Sequence, residues 1–169
     1  MKILELPDDS GFMGLANFAK YRSFISSDWD FEMIKRRIIE EMNAHHLLFW
    51  ATGFGNLWKV KIDAKPSTTN AYREAEGIIE VTDKKLYLTN YESLTMAAQF
   101  DDLKLPEKHL EDLVIELDNG SYLVQFKQLF NPDEEDYNSN EINFEIALTE
   151  IEKSKRLCNN VNGIYWTDF

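Results

Sequence analysis

The stretch Leu113-Val-Ile-Glu-Leu-Asp-Asn-Gly-Ser-Tyr-Leu-Val-Gln-Phe-Lys-Gln-Leu129 alternates apolar and polar residues on both sides of Asp118-Asn119-Gly120. Alternation with period two is the signature of a strand with one buried face. Asn-Gly supplies the positive φ angles of a type I′ turn, so the stretch predicts a hairpin of Leu113–Leu117 and Tyr122–Leu129. Two neighbouring regions read the same way. Residues 46–52 and 57–63 flank Gly53-Phe-Gly-Asn56, and residues 77–82 and 85–90 flank Asp83-Lys84. Downstream, Ile142, Phe144, Ile146 and Leu148 alternate over residues 141–149, with a helix through 146–157 as the competing reading. Residues 163–166 fit a short edge strand.

Towards the N-terminus the period lengthens. Leu15, Phe18, Tyr21 and Ile25 fall on one face of a helix over residues 12–25. Phe31, Ile34, Ile38 and Met42 mark a second helix, capped by Ser27 or Asp28. Its polar face carries Lys35, Arg36 and Arg37, either a small anion site or partners for Glu40 and Glu41 one turn on. Helices first and hairpins after predict an α+β fold, with N-terminal helices packed on a largely antiparallel, hairpin-built sheet. The 169 residues contain no repeat and no Pro- or Gly-rich linker, and are expected to form one domain, 1–169.

Charge is unevenly placed. Of the net −12, residues 1–100 contribute −2 (12 basic, 14 acidic), residues 101–152 contribute −12 (3 basic, 15 acidic) and residues 153–169 contribute +2. Such a field repels nucleic acid and anionic membrane and attracts basic proteins, while also serving solubility. The acidic start Glu5-Leu-Pro-Asp8-Asp9 does not fit a secretory signal, and no apolar run approaches the ~20 residues that span a bilayer, so a cytoplasmic protein is expected.

Chemistry-bearing motifs are sparse. His45-His46 would point to opposite faces of a strand, and the remaining histidine, His109, stands far off, so the pair reads as a helix end or sheet border rather than a zinc site. Cys158 is the single cysteine, which excludes an intramolecular disulfide. It reads as buried and inert, with a nucleophile activated by Arg156 as the alternative. No phosphate loop, dinucleotide fingerprint, nucleophile elbow or zinc-protease helix occurs. No catalytic, cofactor-binding or metal residue is therefore assigned, and no cofactor is expected. The run Asp133-Glu134-Glu135-Asp136 is oxygen-rich but lacks the alternation and glycine of a Ca²⁺ loop. It reads as an exposed loop suited to a basic partner, with Tyr137 beside it. Trp50 and Trp58 flank the Gly53–Gly55 turn and are expected to face one another, most of the other aromatics being core.

Trp50-x-Thr-Gly53-x-Gly55-x-x-Trp58-x-Val60, Ile115 to Val124 and Phe144-Glu-Ile146 together resemble strands of small acidic bacterial immunity-type proteins, over about a fifth of the chain. The resemblance implies a cytoplasmic, non-enzymatic protein that neutralises a cognate toxin by binding it, and it carries over no site residues. With the charge, it points to an inhibitor of a basic toxin such as a nuclease, as monomer or homodimer, touching its partner through Asp133, Glu134, Glu135, Asp136 and Tyr137. The rival readings are a small enzyme or carbohydrate-binding module with an aromatic and carboxylate site, and a structural subunit paired through an edge strand.

Overall fold

The computed structural model describes residues 1–134, 141–152 and 159–168. Among these residues nine strands and two α-helices form an α+β fold in three layers. Strands β1 (Lys2–Asp8), β4 (Asn56–Asp63), β9 (Phe144–Ile151), β8 (Gly120–Gln128) and β5 (Arg73–Val81) make a five-stranded sheet in the order β1-β4-β9-β8-β5. Strands β3 (Leu47–Ala51), β2 (Phe12–Ala16), β6 (Lys85–Asn90) and β7 (Val114–Glu116) make a four-stranded sheet in the order β3-β2-β6-β7. All pairings are antiparallel except β4 with β9. The main core lies between the sheets and includes Leu6, Met13, Leu15, Trp50, Trp58, Val124, Phe126, Phe144 and Ile146. Helices α1 (Phe31–Asn43) and α2 (Tyr91–Gln99) bury Ile34, Ile38, Met42, Leu94 and Ala98 in a second core with Leu47 and Phe49 of β3.

The N-terminal helix expected over 12–25 is instead β2 followed by irregular chain. Strand β2 is central in its sheet and covered on both faces, so Met13–Ala16 are buried on either side and the period-two pattern is lost. Gly14 permits the fit, because a Cβ there would lie 2.5 Å from the Leu48 carbonyl oxygen. The second helix stands as read, but its cap is Asp30, whose carboxylate accepts the Met33 N–H at 2.9 Å. Arg37 pairs with Glu40 one turn on and donates to the Phe24 carbonyl, so this member of the basic face is tied down locally. Strand β1 and helix α2, capped by Asn90 through the Ser93 N–H, were not foreseen. The helices are thus not grouped at the N-terminus.

The three expected hairpins are connections between layers. β3 and β4, β5 and β6, and β7 and β8 each divide between the two sheets. Neither Asn119 nor Gly120 takes a positive φ. Instead the Asn119 side chain accepts the Lys84 N–H at 2.7 Å, tying two interlayer turns together. Trp50 and Trp58 consequently sit in different sheets and stack on Phe126 and Phe130 rather than on each other. Residues 146–151 are strand, not helix, and the expected strand at 163–166 is one bridge from Tyr165 to Trp50.

Candidate partner-binding surface

Strand β8 carries the chain from one end of the sandwich to the other and sets where the acidic loop emerges. Phe130 anchors the loop's base among Phe54, Trp58 and Phe144, with ring centroids 5.9, 5.1 and 5.7 Å away. Pro132 rests against Gly53, whose φ of +104° and lack of a Cβ both serve the contact. Asn131 then shapes the exit, its side chain accepting from the Asp133 N–H and donating to the Glu134 carboxylate. Asp133 and Glu134 are exposed, as a loop contact requires. Glu135, Asp136 and Tyr137 lie outside the described residues, as does Cys158.

Beside this base stands a cationic clamp that no sequence motif announced. The Arg73 guanidinium donates to the Gln128 side chain at 2.8 Å and the Ala51 carbonyl at 3.0 Å, and lies 4.6 Å over the Trp166 ring and 5.8 Å from the Tyr72 ring. Burial lowers its pKa, while Tyr72 and Asp133 oppose that shift. Asp133 therefore faces a neighbouring cation already committed to the fold. Tyr72, just before β5, and Glu74 and Glu76 on it are exposed.

Two buried carboxylates invite a catalytic reading, and their geometry argues against it. Asp8 accepts from the Ser10, Gly11 and Phe12 N–H groups at 3.2, 2.8 and 3.1 Å, and from the Thr52 hydroxyl and Trp58 indole at 2.9 and 2.8 Å. All these donors are structural, and they pin two interlayer turns to the core. Burial pushes its pKa up against their pull. Glu41, fully buried at the end of α1, holds Arg22 at 2.6 Å and His46 at 2.8 Å. His45 follows the helix end in a left-handed turn (φ 64°), so the histidine pair borders helix and sheet as expected. Burial, then Glu41, raises the pKa of the adjacent Tyr21. Among the described residues no three His, Cys, Asp or Glu side chains converge to hold a metal, and no helix is long and apolar enough to cross a membrane.

The acidic stretch does not gather on one face. Gly120 and Gln128 sit at opposite ends of β8, roughly 26 Å apart at 3.3 Å per residue. Asp133 and Glu134 project near the Gln128 end. Glu116, Asp118 and Glu150 lie near the Gly120 end, where Glu150 reaches the glycine. Glu145 is spent internally on Lys61 and Ser67.

No protein-family model matches the chain, and no curated protein does. Two solved structures share its fold. One, described as Crocagin biosynthetic gene J, is 16% identical with a TM-score of 0.59, covering 89% of this chain and 96% of its own. The other is ComJ from Bacillus subtilis, an inhibitor of the DNA degrading activity of NucA, 12% identical with a TM-score of 0.55 and the same coverage. At these identities the likeness establishes the fold alone.

Proposed function

We propose that this protein is a non-enzymatic inhibitor that binds a basic nuclease-type toxin and occludes its nucleic-acid site. The observation that carries the reading is the fold shared over nearly the whole chain with ComJ, an inhibitor of a nuclease. Charge supports it: a nuclease groove is built to hold phosphates, and carboxylates at the Gln128 end of the sandwich stand in for them. Asp133, Glu134, Glu135 and Asp136 are the contacts proposed, with Tyr137 as an aromatic anchor and Tyr72, Glu74 and Glu76 as further contacts at the start of β5. The acids at the Gly120 end, roughly 26 Å away along β8, are left outside the proposed contact.

The test is a DNA-degradation assay with the basic nuclease retained by the tagged protein at low ionic strength. Equimolar protein should abolish degradation, and the quadruple variant D133N/E134Q/E135Q/D136N should need at least ten times more. Full nuclease activity in the presence of excess wild-type protein would refute the inhibitor reading. Equal potency of the variant would remove the loop from the mechanism while leaving the inhibitor reading in place.

A further inference from the structure

Three of the four sheet edges are closed by the chain itself. Along β5, the Asn159 amide bonds both polar groups of Ile78 at 2.7 Å, the Tyr165 hydroxyl donates to Glu76, and Glu80 bonds His45 and Asn17. Along β3, Tyr165 bonds the backbone of Phe49 and Ala51. β7 is only three residues long, and the Lys2 ammonium holds its Val114 carbonyl at 2.6 Å. The fourth edge, β1, is different. Its Pro7 carbonyl accepts from the Asn90 side chain, so residue 7 turns its polar groups away from β4. The two-residue repeat of an antiparallel ladder then turns Ile3 and Glu5 the same way. Among the described residues nothing bonds the outward N–H and C=O groups of Ile3 and Glu5, and Ile3 is 52% and the neighbouring Leu57 50% exposed. An open edge lined by apolar side chains is a template for another strand.

We propose that β1 pairs antiparallel with β1 of a second copy about a two-fold axis at Leu4, joining the two five-stranded sheets into one. The register follows from the residues. Outward-facing positions must meet outward-facing positions across a two-fold, and pairing both Ile3 and Glu5 within the strand leaves axes at Ile3, Leu4 or Glu5. An axis at Glu5 sets two Glu5 carboxylates opposite one another and matches Ile3 with Pro7, which has no N–H to give. An axis at Ile3 overlaps only residues 1–5 and leaves Pro7 and Leu57 uncovered. With the axis at Leu4, Ile3 and Glu5 of each copy exchange their hydrogen bonds with Glu5 and Ile3 of the other. Met1 of one copy then falls opposite Pro7 of its partner, beside Leu57, which pairs with Pro7 across β4. Glu5 keeps its cross-strand neighbour Lys59 and faces an isoleucine rather than a like charge. The missing donor of Pro7 lies beyond the exchanged bonds, where it costs the dimer nothing and also stops the pairing from extending.

Sedimentation of the full chain under reducing conditions tests this. Mass should rise from 19.8 kDa towards twice that value between about 1 and about 500 µM. Glu5→Pro removes an outward N–H that no bond among the described residues uses, so the variant should fold, by circular dichroism, yet dimerise at least about tenfold more weakly. Ile3→Lys, which places charge on the open edge, is the second variant should Glu5→Pro misfold, and the same weakening is expected. A mixed sample of isotope-labelled and unlabelled protein should show a nuclear Overhauser contact between the Leu4 Hα atoms of the two copies. A constant monomer mass across the range, or a dimer that both variants leave intact, overturns the proposal. A dimer without the Leu4 contact overturns its register. None of these outcomes depends on nuclease binding.

Discussion

Asp8 shows how one side chain fixes the route of the chain. It sits where β1 turns into β2 and also grips Thr52 and Trp58, so a single carboxylate ties the turns at 9–11 and 52–55 to the same end of the sandwich. Asparagine there would aim N–H groups at donors, leaving buried polar groups unsatisfied. Asp8→Asn should cost about 2 kcal/mol in urea unfolding at neutral pH. A wild-type midpoint would mean the turns hold without the carboxylate. The pH dependence follows from burial, which raises the folded-state pKa above the ordinary value of 3.8. Besides its hydrogen bonds, Asp8 therefore contributes a titration-linked stabilisation that is fully present below that value and is lost as pH rises through the raised one. Asp8→Asn should remove this decline. Nothing in Leu6-Pro-Asp8-Asp9-Ser marked the residue, because its donors come from three separate segments.

At the scale of elements, the connection from β4 to β5 is a strap of nine residues, 64–72, crossing the outer face of the five-stranded sheet. Lys127 donates to the Ser67 and Thr69 carbonyls at 2.9 and 3.0 Å, and Glu145 holds Ser67 and Lys61. Beneath it lies a cavity of about 20 Å³, room for one water. Burial pushes Glu145 up, but Ser67, Lys61 and Lys127 together outweigh it and lower its pKa below the ordinary 4.5. Its stabilisation is thus present above 4.5 and lost as pH falls through the lowered value. Glu145→Gln should destabilise by about 1 kcal/mol at neutral pH, less in acid, and should speed proteolysis within 64–72. Unchanged cleavage would show that Lys127 suffices. The strap also explains the limits of the sequence. Alternation in 113–129 identified two strands with buried faces correctly, since Ile115, Tyr122, Val124 and Phe126 all enter the core. Alternation tells which side chains go inward but not which sheet bears them. Two strands on opposite sides of one core carry the same pattern as two strands of a hairpin. The α1 stripe of Ile34, Ile38 and Met42 was legible because a helix has one buried stripe whichever layer it covers.

For the whole molecule, the location of the −12 charge was readable from sequence, but its division between two ends was not, because β8 carries the chain across the fold inside the acidic stretch. That division makes the proposed interface separable from simple net charge. D133N/E134Q/E135Q/D136N and D83N/E116Q/D118N/E150Q each bring the net charge from −12 to −8, and of the residues changed Asp133 and Glu134 lie near one end of β8 and Glu116, Asp118 and Glu150 near the other. At about 0.01 M salt the screening length is about 30 Å, longer than the distance between the ends, and both variants should associate with a basic nuclease more slowly than wild type by similar factors. At about 0.15 M salt it is about 8 Å, and only charges at the contact still act. There the loop-end variant should remain at least about tenfold slow while the other returns to within about twofold of wild type. Stopped-flow association across that salt range reads the difference directly. If the two variants stay equal at high salt, the charge steers the partner without choosing where it lands. If the Gly120-end variant is the slow one, the partner sits at the end bearing Glu116 and Asp118, and the acids at 133–136 serve solubility rather than contact.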